Sequence, residues 1–136
     1  IREFCLSRGL GDVYKRQVYY SIPREQVFAQ YKMMDLLLVP SRFDPLPTVV
    51  LEASLEGVPV IGTGKDGIPE MQVDKDMLFD VGNVAGAIER IEKWFGLPFE
   101  VRKEKMDKAQ AYIERTFTAE NKKRVVLNSM RDVLET

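Results

Sequence analysis

The residues of this chain that could do chemistry gather between positions 44 and 70. Asp44 and Glu52 are carboxylates able to accept hydrogen bonds from hydroxyl groups, and Thr48 and Val49 stand between them at the start of a segment read as a helix. The first N–H groups of a helix have no intrahelical acceptor and lie at the positive end of its dipole, so Thr48 and Val49 could hold an anion such as a phosphate. Glu52 sits among Val49, Val50, Leu51, Ala53 and Leu55, which would make the helix apolar nearly all round and place it in a core. A carboxylate set into such a helix must find donors, because an unpaired buried charge costs several kcal/mol. A diol near Glu52 and a phosphate at the helix start would satisfy both sets of groups together. Downstream, Gly64 and Gly67 would let a backbone come close to a ligand, and Glu70 follows them. Each group also has a plainer reading: Glu52 reaching solvent, Asp44 closing an Asx turn in its own loop, the glycines as turn residues, Glu70 complementing a helix dipole, and Arg42 as a solvated loop residue.

Positioning these groups requires a β-loop-α-β unit. Asp35-Leu36-Leu37-Leu38-Val39 is an unbroken apolar run stopped by Pro40-Ser41, as expected of a strand buried on both faces of a parallel sheet. Pro45 and Pro47 then open a helix from Thr48 to Leu55, where an early proline sacrifices no hydrogen bond. Gly57 closes it as a left-handed cap, and Val58-Pro59-Val60-Ile61-Gly62 starts a second buried strand. The spacing suits a right-handed parallel crossover.

The text PSRFDPLPTVVLEAS, followed by GVPVIGT and GKDGIPE, resembles the C-terminal donor-binding domain of the retaining nucleotide-sugar glycosyltransferases of GT-B family 4, which carry two acids separated by seven residues. The specific part lies in residues 39–70. The resemblance implies that Glu52 binds the donor ribose, that Thr48 and Val49 offer N–H groups to its diphosphate, and that Asp44 lies against the transferred sugar as the catalytic position. It further implies substrate-binding roles for Leu46, Gly64, Gly67 and Glu70, with Ser21 and Ile22 near the nucleobase. No metal site or cofactor is implied, the nucleotide-diphosphate sugar being a substrate. The chain departs from the family where Asp44 replaces the usual Glu, where Pro45-Leu46-Pro47 replaces Gly-aromatic-Gly, and where Asp66 stands in place of a second adjacent glycine.

Composition bounds the rest. With 136 residues, 45% of them hydrophobic, the chain is one domain with ample material for a core. A net charge of -1 argues against a nucleic-acid partner. No apolar run approaches the roughly 18 residues a membrane helix needs, and no signal peptide is visible, so a cytoplasmic setting is expected, with peripheral membrane contact open to the full-length enzyme. Cys5 is the single cysteine and histidine is absent, which removes disulfides, cysteine metal clusters and histidine chemistry from this chain.

Residues 1–17 show no helical or strand period and resemble translated sequencing-adapter text, so an artefact or disordered segment is expected there, with the truncated nucleotide-sugar-binding domain over 18–136. Residues 18–20 read as a strand, and a helix follows with Val27, Phe28, Tyr31 and Met34 at helical spacing. Met77-Leu78-Phe79 reads as a third strand of the unit. Asn83 is placed to cap a helix of Val84, Ala87, Ile88, Ile91, Trp94 and Phe95, with Trp94 and Phe95 as core or surface packing, and Gly96-Leu97-Pro98 breaks it. A charged helix over 100–115 shows Met106, Ala109, Tyr112 and Ile113 inward and a solvated face between Glu100 and Lys108. Thr118 caps a last helix bearing Val125, Val126, Met130, Val133 and Leu134.

The fold expected is α/β: a partial doubly wound Rossmann-like parallel sheet, the C-terminal half of a GT-B fold with its first strands missing, followed by C-terminal helices. Residues 18–20 would be strand 3 without its neighbours, and strands at 36–39, 58–61 and 77–79 would pair as 4-5-6. The acceptor and the phosphate-neutralising cations would then lie in a missing N-terminal domain, and this chain alone would be inactive. The function expected is transfer of a glycosyl group from a nucleotide-diphosphate sugar to a sugar, lipid or glycan acceptor with retention. The alternatives are a non-catalytic nucleotide- or partner-binding module, or a GT-B phosphorylase or epimerase.

Overall fold

The computed structural model describes Glu3–Phe4, Val18–Tyr19 and residues 21–121, and the chain divides into two units, residues 1–33 and 34–136. In the first, β1 (Glu3–Phe4) pairs antiparallel with β2 (Val18–Tyr19), and α1 spans Arg24–Tyr31. β2 falls where residues 18–20 read as a strand. Its pairing differs from expectation: the segment before residue 18 contributes a strand, and β2, expected without neighbours, takes it as an antiparallel partner.

The second unit is built on a parallel sheet of order β3-β4-β5, with β3 at Leu37–Val39, β4 at Val60–Thr63 and β5 at Leu78–Phe79. The register sets Leu37 beside Val60 and Gly62 beside Leu78, the mixed α/β arrangement of a partial Rossmann-like fold. All four residues of β4 are buried, as a central strand covered on both faces must be. β3 is less covered than its apolar text implies, with Leu38 at 41% exposure, because β4 is its sole sheet neighbour among the described residues.

The crossover helix α2 spans Thr48–Leu55, the limits its punctuation predicts. Its end is a Schellman cap: Gly57 adopts φ +74°, its N–H donates to Ser54 O at 3.1 Å, and Val58 N–H donates to Ala53 O at 2.9 Å. The helix is not buried all round. Val50, Ala53 and Ser54 face inward, whereas Val49 and Leu55 are exposed, since the sheet and a later helix cover one side only.

After β4 come a short α3 (Ile68–Met71) and a single 3-10 turn before β5. α4 (Val84–Gly96) begins at Asn83, whose side-chain oxygen accepts from Gly86 N–H at 2.9 Å. Ala87 and Trp94 are buried and join Ile61, Met77 and Phe79 in a core cluster, with Ile91 packed against it. Val84, Ile88 and Phe95 stay exposed, because a helix lying on one sheet face covers only the 87-91-94 stripe.

α5 runs over Phe99–Thr116 with Ile113 buried. Its charged face is mostly solvated, but Lys105 is half-buried and pairs with Asp74, and the Arg102 guanidinium lies 5.8 Å over the Phe95 ring. Thr118 Oγ1 accepts from Asn121 N–H at 3.2 Å, as a cap does, while Val125, Val126, Met130, Val133 and Leu134 lie outside the described residues. Among the described residues, no helix is long and apolar enough to cross a membrane.

Candidate functional site

The carboxyl ends of β3 and β4 release two loops, residues 40–47 and 64–67, and the named residues of the second unit lie in these loops and the helices they lead into. The loops are tied together by main chain. Gly67 N–H donates to Asp44 O at 3.3 Å, and Asp44 N–H donates to an Asp66 carboxylate oxygen at 3.2 Å. A third tie comes from Thr63, buried at the end of β4, whose hydroxyl donates to Ser41 O at 2.7 Å.

Gly67 is needed for this packing. A Cβ built there would stand 2.1 Å from Pro45 O, so the close approach its missing side chain allows is to the neighbouring loop. Gly64 differs: its N–H extends the β4–β5 ladder to Phe79 O at 2.8 Å, and a Cβ would make only ordinary contacts. The glycine-like turn of the second loop falls on Asp66, at φ +55°, a left-handed conformation that aspartate tolerates better than most residues.

Asp44 is half-buried and does close an Asx turn, its Oδ1 accepting from Leu46 N–H at 3.2 Å. Among the described residues its second carboxylate oxygen receives no hydrogen bond. Leu46 is itself 49% exposed.

The start of α2 has open backbone donors. Pro47 occupies the cap without a side-chain bond, no acid stands in the first turn, and Val50 N–H turns back to Pro47 O at 2.9 Å. The amides of Thr48 and Val49 are left with no acceptor among the described residues, and both residues are exposed. Glu52, half-buried, lies one turn further on the face Thr48 occupies, as i, i+4 neighbours do. Glu70 is exposed in the first turn of α3. Ser21, at φ +53°, and Ile22 belong to the first unit.

Sequence reasoning missed the supports. Gln110 donates to Leu55 O at 3.0 Å and Tyr112 to Glu70 O at 2.8 Å, so α5 supplies donors to both α2 and α3. Gln72, buried, donates to Val60 O at 2.6 Å. Thr63 carried a usable signal, a polar residue closing an apolar strand; Asp66 carried another, an acid between glycines. A cavity of about 260 Å³ opens at the other end of β4, lined by Val58, Gln72, Trp94 and Lys105 among others, and it contains none of the site residues named from the sequence.

A parallel sheet flanked by helices, with loops leaving its carboxyl edge and open amides starting the crossover helix, is a Rossmann-like α/β domain. Residues 3–116 match the model of the family described as glycosyl transferases group 1, and the chain belongs to that family. It is thus a glycosyl transferase domain, whose reaction brings a glycosyl donor to an acceptor. No individual curated protein matches the chain.

Proposed function

We propose that the carboxyl edge of this sheet binds a nucleotide-diphosphate sugar and that the enzyme transfers the sugar with retention, in the manner of GT-B family 4. The observation that carries this reading is the pair of open amides at Thr48 and Val49, at the start of a helix with no acid of its own in the first turn. As the diphosphate leaves, negative charge grows on its oxygens, and fixed N–H donors with the helix dipole stabilise that charge without reorganising. Glu52 accepts from the ribose hydroxyls, and Asp44 presents its second carboxylate oxygen to the transferred sugar. The donor is a substrate, and this reading calls for no cofactor. The acceptor, and the cations that complete diphosphate neutralisation, fall to an N-terminal Rossmann-like half of the full protein.

Replacement of Glu52 tests the donor site. In the full protein, Glu52→Ala is expected to weaken nucleotide-sugar binding by roughly 1–3 kcal/mol, the scale of charged hydrogen bonds, when titrated calorimetrically. Unchanged donor affinity would overturn the assignment.

A further inference from the structure

We propose that Asp66 is a positioning residue for Asp44: its carboxylate fixes the Asp44 main chain, so that the shorter acid of this chain is held in one orientation toward the transferred sugar. The inference rests on the donor-site reading above, but the clamp itself does not. Three observations converge on it. Asp66 holds φ +55°, a conformation that costs an L residue energy and that a glycine would take freely, so something must offset retaining a side chain there. That side chain accepts from Asp44 N–H at 3.2 Å, across 22 positions of sequence. The reverse tie, Gly67 N–H to Asp44 O at 3.3 Å, holds the other side of the same residue.

Asp44 is thus gripped at both main-chain polar groups by the 64–67 loop, while its own Oδ1 is held by Leu46 N–H. One oxygen is left for a ligand. An aspartate has one methylene fewer than a glutamate and fewer rotamers to search, so the direction of that oxygen follows the placement of the backbone beneath it. Moving the backbone moves the acid.

The experiment compares Asp66→Gly, which keeps the turn and loses the acceptor, with Asp66→Asn, which keeps both. Without ligand, hydrogen exchange at the Asp44 amide is expected to quicken about tenfold in Asp66→Gly and to stay near wild type in Asp66→Asn, the effect of losing one hydrogen bond. With UDP-glucose, GDP-mannose and ADP-glucose as donors to the full protein, kcat for the donor used should fall about tenfold in Asp66→Gly. Affinity for the matching nucleoside diphosphate should not change, and Asp66→Asn should restore kcat. Unaltered Asp44 exchange in Asp66→Gly overturns the clamp. An active wild type whose Asp66→Gly variant turns over equally fast overturns the positioning role alone. Equal loss of kcat in both variants overturns it too, since that marks a direct role for the Asp66 charge. A wild type that binds none of the three donors overturns the donor-site reading and, with it, the sugar-facing role of Asp44.

Discussion

Single side chains decide how the two loops meet. Thr63 is buried with its hydroxyl on Ser41 O, so Thr63→Val, which keeps the shape and leaves that carbonyl without its donor, is expected to cost about 1–2 kcal/mol, measured as a lowered urea midpoint. Gly67→Ala places a methyl against Pro45 O and is expected to destabilise by about 1–3 kcal/mol, the scale of overpacking, with loss of donor binding in the same variant. Asp44, Thr48, Val49 and Glu52 were legible as candidates because their spacing lies within one loop and one helix. The Asp66 contact to Asp44 was not, since it joins residues 22 positions apart and depends on β3 and β4 being adjacent. The glycine reading was half legible: Gly67 does mark a close approach, but the neighbour is Pro45.

Among the elements, those with local punctuation were read correctly and those defined by their surroundings were not. Pro47 and Gly57 bound α2 by fixed backbone preferences, and Asn83 caps α4 by a bond three residues long. Which side of α2 or α4 is covered depends on the neighbouring elements, so the apolar text of α2 implies a core helix although Val49 and Leu55 are exposed. The partner of β2 likewise depends on β1, whose text has no strand period. The Gly57 cap offers a clean measurement, because nothing lies within 4 Å of a Cβ built there and the cost of Gly57→Ala is conformational alone. It is expected near 1 kcal/mol by chemical denaturation, with the α2 amides exchanging faster toward the carboxyl end.

On the scale of the whole molecule, exposed ion pairs add to the response to acid. Lys93, 2.7 Å from Asp76, lowers that carboxyl below its ordinary 3.8 through a hydrogen bond and then through charge, and Lys108 lowers Glu104 below 4.5 in the same way. A carboxyl held low in the folded state contributes stability above its unfolded-state pKa, and that contribution is lost as pH falls through the folded value. Melting temperature is therefore expected to fall below about pH 4, less so in a Lys93→Met, Lys108→Met double variant, and with the difference shrinking at high salt. The sheet order of the second unit was legible from three apolar runs and their spacing, whereas the part played by α5 was hidden in a sequence that reads as solvated charge. Gln110 and Tyr112 reach back to the carbonyls of Leu55 and Glu70 from near the end of the described chain. On the ribosome, then, the two helices at the carboxyl edge of the sheet emerge long before the donors that finish them, and a nascent chain paused ahead of residue 110 would hold both loops on unfinished supports.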